Sequence, residues 1–106
     1  MLIHHQTEEQ ADKAYFDSSD ISYIKYRKDT KQMLVLFKKY HRIYLYSNVN
    51  KEHFLNLINA ESLGKAFKEM MRKGRDKELY EVQKIGKLDE NESKQIEKVL
   101  EEYERE

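Results

Sequence analysis

Ile21-Ser22-Tyr23-Ile24-Lys25-Tyr26, Met33-Leu34-Val35-Leu36-Phe37 and Ile43-Tyr44-Leu45-Tyr46 are the runs that decide the fold of this 106-residue chain. Short charged links separate them. In the second run Met33, Val35 and Phe37 recur at the period of two that places side chains on one face of a strand. In the third, Tyr44 and Tyr46 share one face, with Ile43 and Leu45 on the other. The first run carries apolar residues on both faces, as in a sheet covered on both sides or closed into a barrel. These features predict strands over 21–28, 33–39 and 42–48. Asp29-Thr30-Lys31-Gln32 forms a turn and Tyr40-His41 a tight link. Links this short imply an antiparallel meander.

Working outward from the meander, the period changes at Asn50. Asn50 is a good N-cap, and Phe54, Leu55, Leu57 and Ile58 form a helical stripe. Ser62 caps a second helix with Leu63, Ala66, Phe67, Met70 and Met71 at helical spacing. Gly74 is the expected stop, since glycine commonly follows a helix. Leu79 to Ile85 alternates in part and is a candidate fourth strand. Asp89 with Glu92 reads as a capping box for a last helix over 90–105, with Ile96, Val99, Leu100 and Tyr103 as its stripe. Upstream, Thr7 and Gln10 have the spacing of a capping box and predict a short helix over 7–16. The expected architecture is α+β: a three-stranded antiparallel meander with a candidate fourth strand, two covering helices, and an amphipathic C-terminal helix.

Length and composition set the outer limits. A chain of this size builds one domain around one core. Charged residues are 38% of the chain and hydrophobic ones 39%, more charge and less apolar content than average. Aromatic residues make up 11%, eight of them Tyr, which argues against disorder. There is no Cys, hence no disulfide or thiolate chemistry, which fits a reducing compartment. No apolar run approaches a membrane span or a signal peptide, and a cytosolic location is the expectation. Charge is unevenly spread, at −4 over residues 1–24, +9 over 25–77 and −5 over 78–106. A basic middle between acidic ends suits either an anion-binding face or docking of the chain onto itself.

The stretch from Phe16 to Arg72 resembles the KTSC domain, a small module named after a C-terminal extension of some lysyl-tRNA synthetases. Ser18-Ser19 precede the first strand, Ile24 and Tyr26 lie within it, and the Met33/Val35/Phe37 alternation follows. Tyr44-Leu45-Tyr46 matches the family's Tyr-x-Tyr signature, and Val49 leads into the first helix. Ala60-Glu61-Ser62-Leu63-Gly64-Lys65-Ala66-Phe67 matches its small-Ser-x-Gly-Lys-x-Phe segment. The chain departs at Lys39-Tyr40-His41-Arg42, where the family usually has Gly, and at Asn50, where it often has Pro. The resemblance divides the single domain into a core over 16–74 and an extension over 75–106. It implies RNA binding, by way of the synthetase context, and a bacterial or phage setting.

The residues themselves yield four candidate sites. Tyr44 and Tyr46 either stack unpaired bases on the sheet or pack under the helices, and the alternation favours packing. Lys65, Lys68, Arg72, Lys73, Arg75 and Lys77 form a basic run, and Lys65, Lys68 and Arg72 share a helix face. That face is either a phosphate footprint or a solvated surface docked against the acidic last helix. Ser62-Leu63-Gly64-Lys65 offers free N–H groups to an anion, but a plain cap is the simpler role. The last helix, with Ile96, Val99, Leu100 and Tyr103, is a surface for a host protein or for self-association, or else packs on its own domain. His4, His5, His41 and His53 lack metal-ligand spacing, and no nucleophile or paired-carboxylate constellation stands out. The expectation is a non-catalytic module without metal or cofactor that binds RNA or another polyanion. The rival is a protein-interaction module, such as a phage or prophage accessory protein that inhibits a host protein.

Overall fold

The computed structural model describes residues 2–18, 20–38, 42–76 and 81–105. In chain order the elements are β1 (Leu2–Thr7), β2 (Ala11–Phe16), β3 (Ile21–Arg27), β4 (Gln32–Phe37), β5 (Ile43–Ser47), α1 (Lys51–Ile58), α2 (Leu63–Asp76), β6 (Glu81–Ile85) and α3 (Glu90–Arg105). The α+β class and the antiparallel meander hold, and so do the three helices after β5. The sheet, however, has six strands in the order β1-β2-β3-β4-β5-β6, not three or four. The expected link at Tyr40-His41 lies outside the described residues.

The two additional strands come from the N-terminal segment, where a helix over 7–16 was expected. Instead Glu8 N–H donates to the Ala11 carbonyl at 2.8 Å and closes a hairpin. The physical reason lies in β2. It sits between β1 and β3 with both faces covered, so Ala11, Ala14, Tyr15 and Phe16 are all buried. A strand buried on both sides loses its alternation and is easily mistaken for helix.

A β-bulge shapes β3. Ile21 pairs with Phe37, but Tyr23 pairs with Leu36, so the register shifts by one residue around Ser22. A bulge re-aims side chains. Ile21 therefore joins one core and Tyr23 the other, although strict alternation would put them together.

The two faces hold separate cores. Toward α1 and α2, the residues Ile21, Ile24, Tyr26, Met33, Val35 and Tyr46 meet Phe54, Leu57, Leu63 and Phe67. Toward α3, Tyr15 and Tyr23 meet Ile96, flanked by Leu34, Leu36, Leu88, Val99 and Leu100. The domain is a three-layer sandwich of helix pair, sheet and single helix. Val35 is fully buried, whereas Phe37 and Leu45 are half-buried.

Local signals set most ends. Asn50 precedes α1 in extended backbone, and its carbonyl accepts from His53 N–H at 3.0 Å. Its side chain makes no capping bond. Asp89 caps α3, with Oδ1 accepting from Asn91 N–H at 3.3 Å. Lys31 and Asn48 hold left-handed backbone, at φ 55 and 63. Asn tolerates that region well, and a single such Lys in a turn costs little. Gly74 does not stop α2, which continues to Asp76. Among the described residues no glycine takes the left-handed conformation that ends a helix.

Candidate functional site

The α2 helix is strongly two-sided. Leu63 and Phe67 point into the core, and Ala66, Met70 and Met71 lie against it. The opposite side carries Lys65, Lys68 and Arg72, all exposed. The 3.6-residue repeat gathers these three cations on one face. Lys73 and Arg75 belong to the same helix by backbone, but their side chains lie outside the described residues, as does Lys77 altogether.

Position relative to α3 decides whether this face is open. The acidic helix was one candidate to dock on it. Instead α3 lies across the sheet, on the far face. Its own outer surface exposes Glu90, Glu97, Glu101, Glu102 and Glu104. Among the described residues no ion pair engages Lys65, Lys68 or Arg72.

The tyrosines proposed for base stacking sit elsewhere. Tyr46 is 6% exposed, and its ring meets Phe67 edge-on at 5.7 Å. Burial, then the neighbouring Tyr44 phenol, pushes its hydroxyl up to about 12. Tyr44 is half-buried, edge-on to Phe37 at 5.6 Å. Tyr23 and Tyr26 are buried, and the Tyr26 hydroxyl donates to the Val49 carbonyl at 2.7 Å. The buried Tyr46 ring offers no face to a base, because α2 covers it.

The Ser62-Leu63-Gly64-Lys65 segment acts as a cap. Ser62 Oγ accepts from Lys65 N–H at 3.5 Å, and its carbonyl accepts from Ala66 N–H at 3.0 Å. The N-terminus of α2 already has a negative partner in Asp20. Its Oδ2 lies so close to Gly64 that a methyl group there would force it aside. Glycine at 64 thus lets a carboxylate reach the positive end of the helix.

The α3 stripe expected as an interaction surface faces the domain. Ile96 is buried, Val99 and Leu100 pack beside it, and the Tyr103 hydroxyl donates to Asp17 Oδ2 at 3.2 Å. At the helix start the Asp89/Glu92 box closes on one side only. Glu92 turns inward, where its Oε1 accepts from the Tyr23 hydroxyl at 2.6 Å and pairs with Lys25 Nζ at 3.5 Å. Lys13 stands directly opposite Lys25 on the neighbouring strand, a repulsive arrangement alone. Glu8 at 3.0 Å and Gln95 at 3.3 Å offset it. Glu92→Ala should therefore destabilise the domain by about 1.5–3 kcal/mol, the usual range for a hydrogen bond to a charged group. Amide exchange should quicken along α3 and hold steady in α1. Equal quickening in both helices would show that Glu92 does not anchor α3.

A second polar cluster carried no signal in the chain. Asp12 is 3% exposed on the face toward α1, with His5 Nε2 at 3.7 Å and Lys28 Nζ at 3.5 Å. Once β2 is placed between β1 and β3, the partners follow from register. His4 and His5 meet Tyr15 and Phe54 respectively. Among the described residues no group of His and carboxylates is arranged to hold a metal ion. No helix among them is long and apolar enough to cross a membrane.

Comparison with known proteins supports the resemblance over the core. The profile described as KTSC domain matches residues 17–74. A KTSC domain protein from Yersinia pestis, known from its crystal structure, superposes with a TM-score of 0.61 at 26% identity. The match covers 72% of this chain and 99% of that one. No curated protein matches.

Proposed function

The chain belongs to the KTSC domain family, and from that premise we propose that it is a non-catalytic module that binds single-stranded RNA by its phosphates. The observation that carries the reading is the placement of α3. With the acidic helix across the sheet, Lys65, Lys68 and Arg72 face solvent as an open basic stripe. With Tyr46 under α2, the rings of the Tyr-x-Tyr segment serve the core, and recognition falls to charge. Binding of this kind is tolerant of sequence, because phosphates are the same at every nucleotide.

The test is a fluorescence titration with a short single-stranded RNA at several salt concentrations. Three phosphate contacts predict that log K falls with log salt with a slope of about −2. Lys68→Glu combined with Arg72→Glu should weaken binding and flatten that slope. Glu101→Gln, on the far helix, should change neither. Absence of binding by the unmodified protein at low salt would remove the reading. The rival protein-interaction reading has its own observation: β6 is a sheet edge, and its Val82 is 56% exposed. Such an edge is open to an added strand.

A further inference from the structure

Between α3 and the sheet lies a partly open cavity of about 340 Å3. Its walls are apolar, formed by Leu36 and Ile43 from the sheet and by Leu88, Ile96 and Leu100 from the α3 side. Two serines interrupt them. Ser22 comes from the β3 bulge and Ser93 from the first turns of α3. Among the described residues neither hydroxyl has a hydrogen-bond partner. At the rim Lys87 and Glu97, both exposed, balance in charge.

Each feature narrows the occupant. The volume lies at the lower end of the range for small-molecule pockets. Apolar walls favour an apolar body, and the balanced rim gives no preference for a charged head. The serines can each donate and accept, so a single hydroxyl-type group on a ligand can satisfy them. A bulge that turns a serine into an otherwise apolar wall is the kind of local irregularity found beside binding sites. Leu88, Ser93, Ile96 and Leu100 also fall outside the matched residues 17–74. The cavity is therefore formed where the extension of this chain closes over the family core.

We propose that this cavity binds a small uncharged molecule with an apolar body and one hydrogen-bonding group, held by Ser22 and Ser93. The inference is independent of the basic face of α2, which lies on the other side of the sheet.

The experiment uses the full chain with two probes, 2-naphthol and naphthalene, which differ by one hydroxyl. Fluorescence titration should give saturable one-to-one binding of both. Backbone amide shifts in solution NMR should cluster around Ser22, Leu88 and Ser93. In Ser22→Ala/Ser93→Ala the affinity for 2-naphthol should fall about thirtyfold, the effect of two lost hydrogen bonds. Naphthalene should bind that variant as it binds the parent, which also shows that the cavity has survived the substitutions. The proposal is overturned if the unmodified protein shows no saturable binding, if the shifts cluster elsewhere, or if 2-naphthol binds the variant undiminished.

Discussion

Phe67→Ala is expected to lower the free energy of unfolding by roughly 3–5 kcal/mol, the range for truncating a buried aromatic side chain. Phe67 is 8% exposed at the centre of the helix-side core. Its ring meets Phe37 edge-on at 5.5 Å and Tyr46 at 5.7 Å, so it joins α2 to β4 and β5 at once. Edge-on aromatic pairs contribute beyond their buried area, and alanine loses both pairs and leaves a void. Against the 5–15 kcal/mol typical of whole domains, the variant would retain only part of its stability. Urea denaturation should show a lower midpoint at an unchanged slope. A midpoint equal to the parent's would mean that α2 is not anchored through this ring, and the open basic face would lose its platform.

The second large effect is alkaline unfolding. Burial raises the phenol pKa values of Tyr15, Tyr23 and Tyr26, and takes that of Tyr46 up to about 12. For Tyr23 the hydrogen bond to Glu92 adds to the rise. An unfolded tyrosine loses its proton near pH 10. The folded forms keep theirs to higher pH, so above ~10 the unfolded state binds fewer protons than the native one. The stability held by these phenols is complete below pH ~10 and is lost as pH rises beyond it. Where the folded pKa lies well above 10, as for Tyr23 and Tyr46, each tyrosine contributes a fall of up to about 1.4 kcal/mol per pH unit in that window. Tyr23 and Tyr46 together give up to about 2.7, enough to unfold a domain of ordinary stability within a few pH units. Denaturation series between pH ~10 and ~12 should reveal the fall. In Tyr46→Phe the slope should be shallower by up to about 1.4 kcal/mol per unit, and by about 1 near pH ~11. An identical slope in parent and variant would show that Tyr46 ionises freely in the folded protein.

The elements read correctly from the chain are those with a pronounced apolar run or a strong local signal. In β4, Met33 and Val35 point inward while Leu34 lies toward α3, and the period of two survives. Ser62 and Asp89 cap the helices assigned to them, since a cap is a local bond that needs no distant partner. The N-terminal hairpin was illegible because β2, covered on both faces, carries Asp12 and Lys13 in place of an apolar run, and the Thr7/Gln10 spacing imitates a helix cap. The bulge at Ser22 was equally hidden, as it depends on how β3 meets β4. For the candidate site, the basic face of α2 could be drawn from helical spacing alone. Whether α3 covered it depended on which side of the sheet the chain reaches after β6, and no residue in α3 encodes that by itself. The stripe Ile96, Val99 and Leu100 has the same pattern whether it meets a partner or its own sheet.

The placement of α2 and α3 on opposite faces also makes this neutral protein an electrical dipole whose effective strength depends on the solvent. The molecule measures 42 × 28 × 27 Å. At physiological ionic strength the screening length is about 8 Å, well below its shortest dimension. A polyanion at α2 then senses the nearby cations and almost nothing of the glutamates beyond the sheet. At ~0.01 M salt the screening length grows to about 30 Å, and both faces act together. Lowering the salt then strengthens attraction to the near face and also admits repulsion from the far one. Electrostatic affinity should therefore level off at low ionic strength, where a uniformly basic protein would keep gaining. Because torque outlasts net attraction for a dipole, an approaching polyanion should still meet the α2 side first.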